Sequence, residues 1–175
     1  QASDIFRWFP MGAMILTTLL GWFLDHKGKG ATMLMIGAIL MFICHMTFAL
    51  VPLTPAIAFS AIILLGLSFS LVPAALWPSV PKLVDNRYMG SAYATIFWIQ
   101  NLGLMALPMI IGWVLNKVNP GVGEAIKAGE HVSYNYTVPM LIFASLGVLA
   151  FLLAFWLKLE DRKKHYGLEL PNIKK

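Results

Sequence analysis

Five apolar runs of about twenty residues each constrain this chain more than anything else in it. They cover residues 5–24, 32–51, 56–77, 90–115 and 138–157. A helix rises about 1.5 Å per residue, so each run is long enough to cross a hydrocarbon layer of about 30 Å. Strands of an outer-membrane barrel would alternate in pieces of about ten residues, and these runs do not alternate. Only 12% of the residues are charged, against about 25% in an ordinary soluble domain. The connectors are 25–31, 52–55, 78–89 and 116–137, and the charge sits mainly in the first, third and fourth of them and in a polar tail, 158–175. The expectation is an all-α, polytopic transmembrane helical bundle whose principal partner is the lipid bilayer.

Lysine and arginine orient such a bundle, because they are held on the cytoplasmic side. One side receives ten of them: Lys27, Lys29, Lys82, Arg87, Lys158, Arg162, Lys163, Lys164, Lys174 and Lys175. The other receives three: Arg7, Lys117 and Lys127. The first and third connectors and the tail are therefore expected to be cytoplasmic. Trp8, Trp22, Trp77, Trp113 and Trp156 lie near span ends, as an interfacial aromatic belt requires, whereas Trp98 lies well inside the fourth span. The chain starts at Gln1 with no basic n-region or cleavage site, and reads as part of a longer protein with one helix missing in front.

Several function classes find no support. Cys44 is the only cysteine, which leaves no disulfide and no cysteine-based metal cluster. The net charge of +5 reports topology, and no basic patch is interleaved with aromatics, so no nucleic-acid partner is expected. No nucleophile–base set, phosphate-cradling loop or metal-ligand spacing is present, so neither catalysis nor a cofactor is expected.

The first connector holds the pattern G-x-x-x-D-x-x-G-K, made by Gly21, Asp25, Gly28 and Lys29. Here the chain resembles the major facilitator superfamily, whose signature loop between helices two and three recurs between helices eight and nine. Gly30 departs from the pattern, in which a second basic residue is usual. The runs Ser70-Leu71-Val72-Pro73-Ala74-Ala75-Leu76-Trp77-Pro78, Gly90-Ser91-Ala92-Tyr93-Ala94 and Ile99-Gln100-Asn101-Leu102-Gly103-Leu104 are similar to one branch of that superfamily. That branch contains the lysosomal dipeptide transporter of animals and its bacterial relatives. A five-residue echo, Gly21–Asp25 against Gly112–Asn116, is weak support for an inverted repeat.

The resemblance implies that the five spans are helices eight to twelve, a partial C-terminal half of the twelve-helix fold. It implies a transporter of a small solute by alternating access, with dipeptides or similar zwitterions as the solute. Asp25, with Gly21, Gly28 and Lys29, would form a conformational latch onto the missing N-terminal half; the plainer reading is a solvated turn. That half would also carry the charged groups that hold peptide ends. The membrane would be a plasma or bacterial inner membrane, or a lysosomal or other internal one in a eukaryote. A non-transporting receptor or partner-binding scaffold on the same fold is the alternative.

Within the spans, Gly66, Ser70, Pro73 and Trp77 share one helical face, and Tyr93, Phe97, Gln100 and Leu104 share another, with Asn101 beside it. Gln100 and Asn101 lie about 15 Å deep by helical rise, where an amide facing lipid would be unpaired. The candidate substrate path is therefore Tyr93, Gln100 and Asn101 with Ser70, and with Trp77 and Trp98 as apolar walls. The alternative for the amides is helix–helix hydrogen bonding, worth only ~0.6 kcal/mol on average in membranes. Asp4 and Arg7 can pair one turn apart, His45 reads as a buried or interfacial histidine, Asn135-Tyr136-Thr137 fits a glycosylation sequon, and the basic tail reads as a lipid-facing anchor.

Overall fold

The computed structural model describes residues 2–52 and 54–173, with side chains from residue 12 onward in the first helix. Asp4, Arg7 and Trp8, and likewise Lys174 and Lys175, lie outside the side chains described. The described residues form helices joined by short connectors, with no strand among them.

Helix α1 (Ala2–Lys27) stops at Gly28, whose φ of 74° lets its N–H bond back to the Leu24 carbonyl at 2.8 Å. Lys29 follows in the same left-handed region, at φ 69°, and α2 (Gly30–Leu50) starts at once. Helix α3 (Pro55–Leu83) opens with a proline at its first position, and the Thr54 hydroxyl accepts from the Ile57 N–H. A short 3-10 turn (Asn86–Tyr88) leads into α4 (Met89–Val118). The six-residue α5 (Val122–Lys127) lies in the next connector, and α6 (Thr137–Lys164) ends at His165 in the left-handed region.

Among the described residues, four stretches are long and apolar enough to cross a membrane: Gly30–Leu50, Pro55–Leu83, Asn86–Val118 and Thr137–Lys164. Helix α3 has 29 residues and so measures about 43 Å, more than the hydrocarbon thickness. It runs past Trp77 through Pro78 and Pro81, each of which removes an N–H from the ladder. The Tyr93 hydroxyl donates to the Trp77 carbonyl at 3.3 Å, the carbonyl that Pro81 leaves without its helical donor.

Helix α2 packs along both α3 and α6, and α1 packs on α3. Small residues set these contacts. At Gly37 a Cβ would sit 3.1 Å from Val72, and the buried Ser68 hydroxyl donates to the Gly37 carbonyl at 2.7 Å. Gly147 on α6 lies against the Phe42 backbone, and the Cys44 thiol donates to the Ala61 carbonyl. The buried core is mostly alanine, with Leu24 and Leu34 among the few large side chains. The large apolar side chains Met14, Leu19, Phe69, Met105, Met109, Trp113 and Trp156 lie outside. Small inside and large outside suits a solvent of lipid, in which close backbone approach drives association. The chain is an integral membrane protein built as an all-α bundle.

Candidate functional site: a groove between α2, α3 and α4

Helix α4 touches α3 and α6 only lightly, and none of its residues is buried. Between it and the rest of the bundle lies a cavity of about 510 Å³, walled by Phe69, Val72, Pro73, Leu76 and Trp77 of α3 and by Ile96, Ile99 and Gln100 of α4. Met41 of α2 closes one side. Most of that wall is aliphatic or aromatic, and Gln100 contributes the only side-chain amide among the lining residues. The cavity is apolar with one strong donor–acceptor group, the composition of a small-molecule site.

The path candidates divide. Trp77 and Gln100 line this cavity, and Tyr93 lies beside them, its ring 5.9 Å from Trp77. Phe97 stacks on Trp77 at 5.0 Å, so the face Tyr93–Phe97–Gln100 meets α3 through Trp77. Ser70 lies elsewhere. It is 0% exposed at the α1–α3 contact and donates to the Ala13 carbonyl at 3.2 Å and the Gly66 carbonyl at 2.8 Å. Asn101 donates to the Phe97 carbonyl of its own helix at 2.8 Å, which satisfies the amide without a neighbour. Trp98 is 65% exposed and does not line the cavity. A second cavity of about 400 Å³, lined only by apolar residues and glycine, runs between α1 and α3 past Gly66.

The latch residues sit where α1 ends and α2 begins, beside Ala75 and Ser79 of α3. A Cβ added to Gly21 would meet nothing, whereas one added to Gly28 would collide with the Glu169 carbonyl. The tail folds back under the hinge, which leaves it in contact with protein and not only with lipid headgroups. The Lys29 N–H donates to the Glu169 carbonyl at 3.0 Å and the Gly30 N–H to the Leu168 carbonyl at 2.9 Å. The Glu169 carboxylate accepts from the Thr32 N–H and hydroxyl, both at 2.8 Å. Helix α2 has no acidic residue in its first turn, so Glu169 supplies the negative charge its N-terminus favours. Lys158 donates to the Thr32 hydroxyl, and the Lys82 ammonium donates to the Gly167 carbonyl at 3.1 Å and the Leu170 carbonyl at 2.8 Å. The Asp161 carboxylate accepts from the Leu168 N–H. Asp25, expected to have no partner in this chain, accepts from Asn172 at 2.8 Å, and its carbonyl accepts from the Ile173 N–H at 3.1 Å. Sequence reading did not find these tail partners. The available signal was Leu168-Glu169-Leu170-Pro171, an apolar patch inside an otherwise polar tail.

The remaining candidates have local roles. His45 Nδ1 lies 2.8 Å from the Met41 carbonyl, and its ring packs 5.4 Å from Phe143. Asn135 is exposed, its N–H donating to the Asn119 side chain at 2.7 Å. No group of three or more metal-ligating side chains occurs among the described residues.

Among known proteins, the chain is 38% identical over 98 residues to the lysosomal dipeptide transporter MFSD1 of Danio rerio, across 56% of this chain and 21% of the relative. The human protein of that name is 35% identical over 101 residues, and that of Gallus gallus 32%, each across 58% of this chain. The chain thus spans about a fifth of the length of these relatives. No solved structure matches it. The family model described as Major Facilitator Superfamily matches residues 1–171, nearly the whole chain, and the chain belongs to that superfamily.

Proposed function

We propose that this chain is part of a membrane transporter that moves a small solute by alternating access, with dipeptides or similar zwitterions as the solute class. The observation that carries the reading is the superfamily match over residues 1–171, joined to an apolar cavity into which one amide, Gln100, is set. Gln100 would hold a polar end of the solute, Trp77 would form the apolar wall, and Tyr93 would steady Trp77 through its hydroxyl. Ser70 would act from outside that cavity, through its contact with α1, and Asn101 and Trp98 would stand outside it. The spans 5–24, 32–51, 56–77, 90–115 and 138–157 would be the membrane-crossing portions of the helices, with the hinge and the tail on the cytoplasmic side. Gly21, Asp25, Gly28 and Lys29 would form the latch toward the N-terminal half of the same protein. Helices of both halves would build the complete path, with the two rocking about a midplane site.

The test is counterflow of a radiolabelled dipeptide into proteoliposomes that hold the complete protein. Dipeptide-dependent accumulation supports the reading. Equilibrium binding without counterflow would favour a receptor or scaffold, and neither binding nor counterflow with any dipeptide would remove the solute assignment.

A further inference from the structure

We propose that residues 165–173 form a releasable strap, and that its detachment frees the hinge end of α1 from the rest of the bundle. Helix α1 is held by its packing on α3, which includes the Ser70 bond to the Ala13 carbonyl, and at its end by Asn172 and Ile173, which bind the Asp25 carboxylate and carbonyl. The strap is covalently continuous with α6, so those two bonds tie α1 to a helix with which it shares no extensive packing. On its way the strap crosses Gly28 so closely that no side chain fits there, and it satisfies the first N–H groups of α2. Four helix ends are thus set by one short segment.

The grip is built to let go. Leu168, 1% exposed, is its one deeply buried apolar anchor, whereas Leu170 and Ile173 are exposed. The rest of the hold is polar: Glu169 on Thr32 near Lys158, Lys82 on two strap carbonyls, and Asp161 on the Leu168 N–H. The Lys82 bond to Leu170 is exposed and the Lys158–Glu169 pair partly so, and these weaken as salt shortens the screening length from about 10 Å at 0.1 M to about 3 Å at 1 M, whereas the buried Asp161 contact is screened much less. Unfilled helix N–H groups, by contrast, are readily served by water once the strap leaves. Docking is therefore favourable without being permanent, and it is independent of which solute the protein carries.

Hydrogen–deuterium exchange on the complete protein reads this directly at the amides of Lys29, Gly30 and Thr32. The wild type is compared with Glu169→Gln and with a chain ended after His165, at low and high potassium chloride. The shortened chain should exchange these amides roughly tenfold faster than wild type, with Glu169→Gln between them and wild type moving toward both as salt rises. Wild-type exchange as fast as that of the shortened chain would show that the strap is never docked. Exchange indifferent to both salt and Glu169→Gln would show that it is never released. A second readout covers failure of the shortened chain to fold. Spin labels at Lys27→Cys and Arg162→Cys, in a Cys44→Ala background, should give a narrow distance distribution that Glu169→Gln broadens; an unchanged width would overturn the release of α1.

Discussion

The hinge end of this molecule and the groove beside α4 are built on opposite plans. At the hinge, four helix ends and nine tail residues are joined by a dense set of hydrogen bonds, and the backbone is specified residue by residue at Gly28 and Lys29. Along α4, no residue is buried, and Tyr93 and Phe97 meet α3 through Trp77. The reason is the solvent. Charged and backbone polar groups can be brought together where water meets the membrane, but in hydrocarbon each must be satisfied within the protein, mostly inside its own helix. Conformational definition therefore collects at the end, and the middle is left with an apolar cavity and a single amide. A transporter needs both, one part that holds shape and one that can close on a solute.

Glycine substitutions separate the two plans most strongly. Gly28→Val places a branched side chain at φ 74° and against the Glu169 carbonyl, so it should cost about 2 kcal/mol or more in thermal unfolding of the complete protein. Gly103→Val, where a Cβ would meet nothing within 4 Å, should stay within about 0.5 kcal/mol. Equal costs at the two positions would remove the contrast. Hydroxyl and amide deletions extend the comparison to bonds between helices and bonds within one helix. Ser68→Ala loses a buried bond between α3 and α2 and should cost about 1 kcal/mol. Asn101→Ala loses only a bond to its own helix and should change unfolding by less than about 0.3 kcal/mol. A large loss at Asn101 would mean that α4 is held by a contact its exposed amide does not display.

The helices were legible because a run of apolar residues needs no long-range information to be recognised, and Gly28 was legible as a turn residue. The end of α3 was less so. The third span is drawn to residue 77 with a connector from 78, yet the helix continues to Leu83, and the Trp77 carbonyl that Pro81 frees accepts from the Tyr93 hydroxyl. Gly66, Ser70, Pro73 and Trp77 do share one stripe of α3, but spacing does not reveal which neighbour a stripe meets. Crossing helices change neighbours along their length. Gly66 and Ser70 meet α1, whereas Pro73 and Trp77 line the cavity with α4. The strap was hidden for a plainer reason. Thr32 and Glu169 are 137 residues apart, and no local pattern announces such a pair.

The most direct test of the proposal that the groove takes the solute is a protection experiment at its single amide. The complete protein carrying Gln100→Cys in a Cys44→Ala background is labelled with a maleimide in proteoliposomes, with and without dipeptide. If Gln100 lines the solute site, dipeptide should slow labelling several-fold while leaving Trp98→Cys, which lies outside the cavity, unchanged. Labelling at position 100 that no dipeptide alters, in a preparation that still performs counterflow, would contradict it.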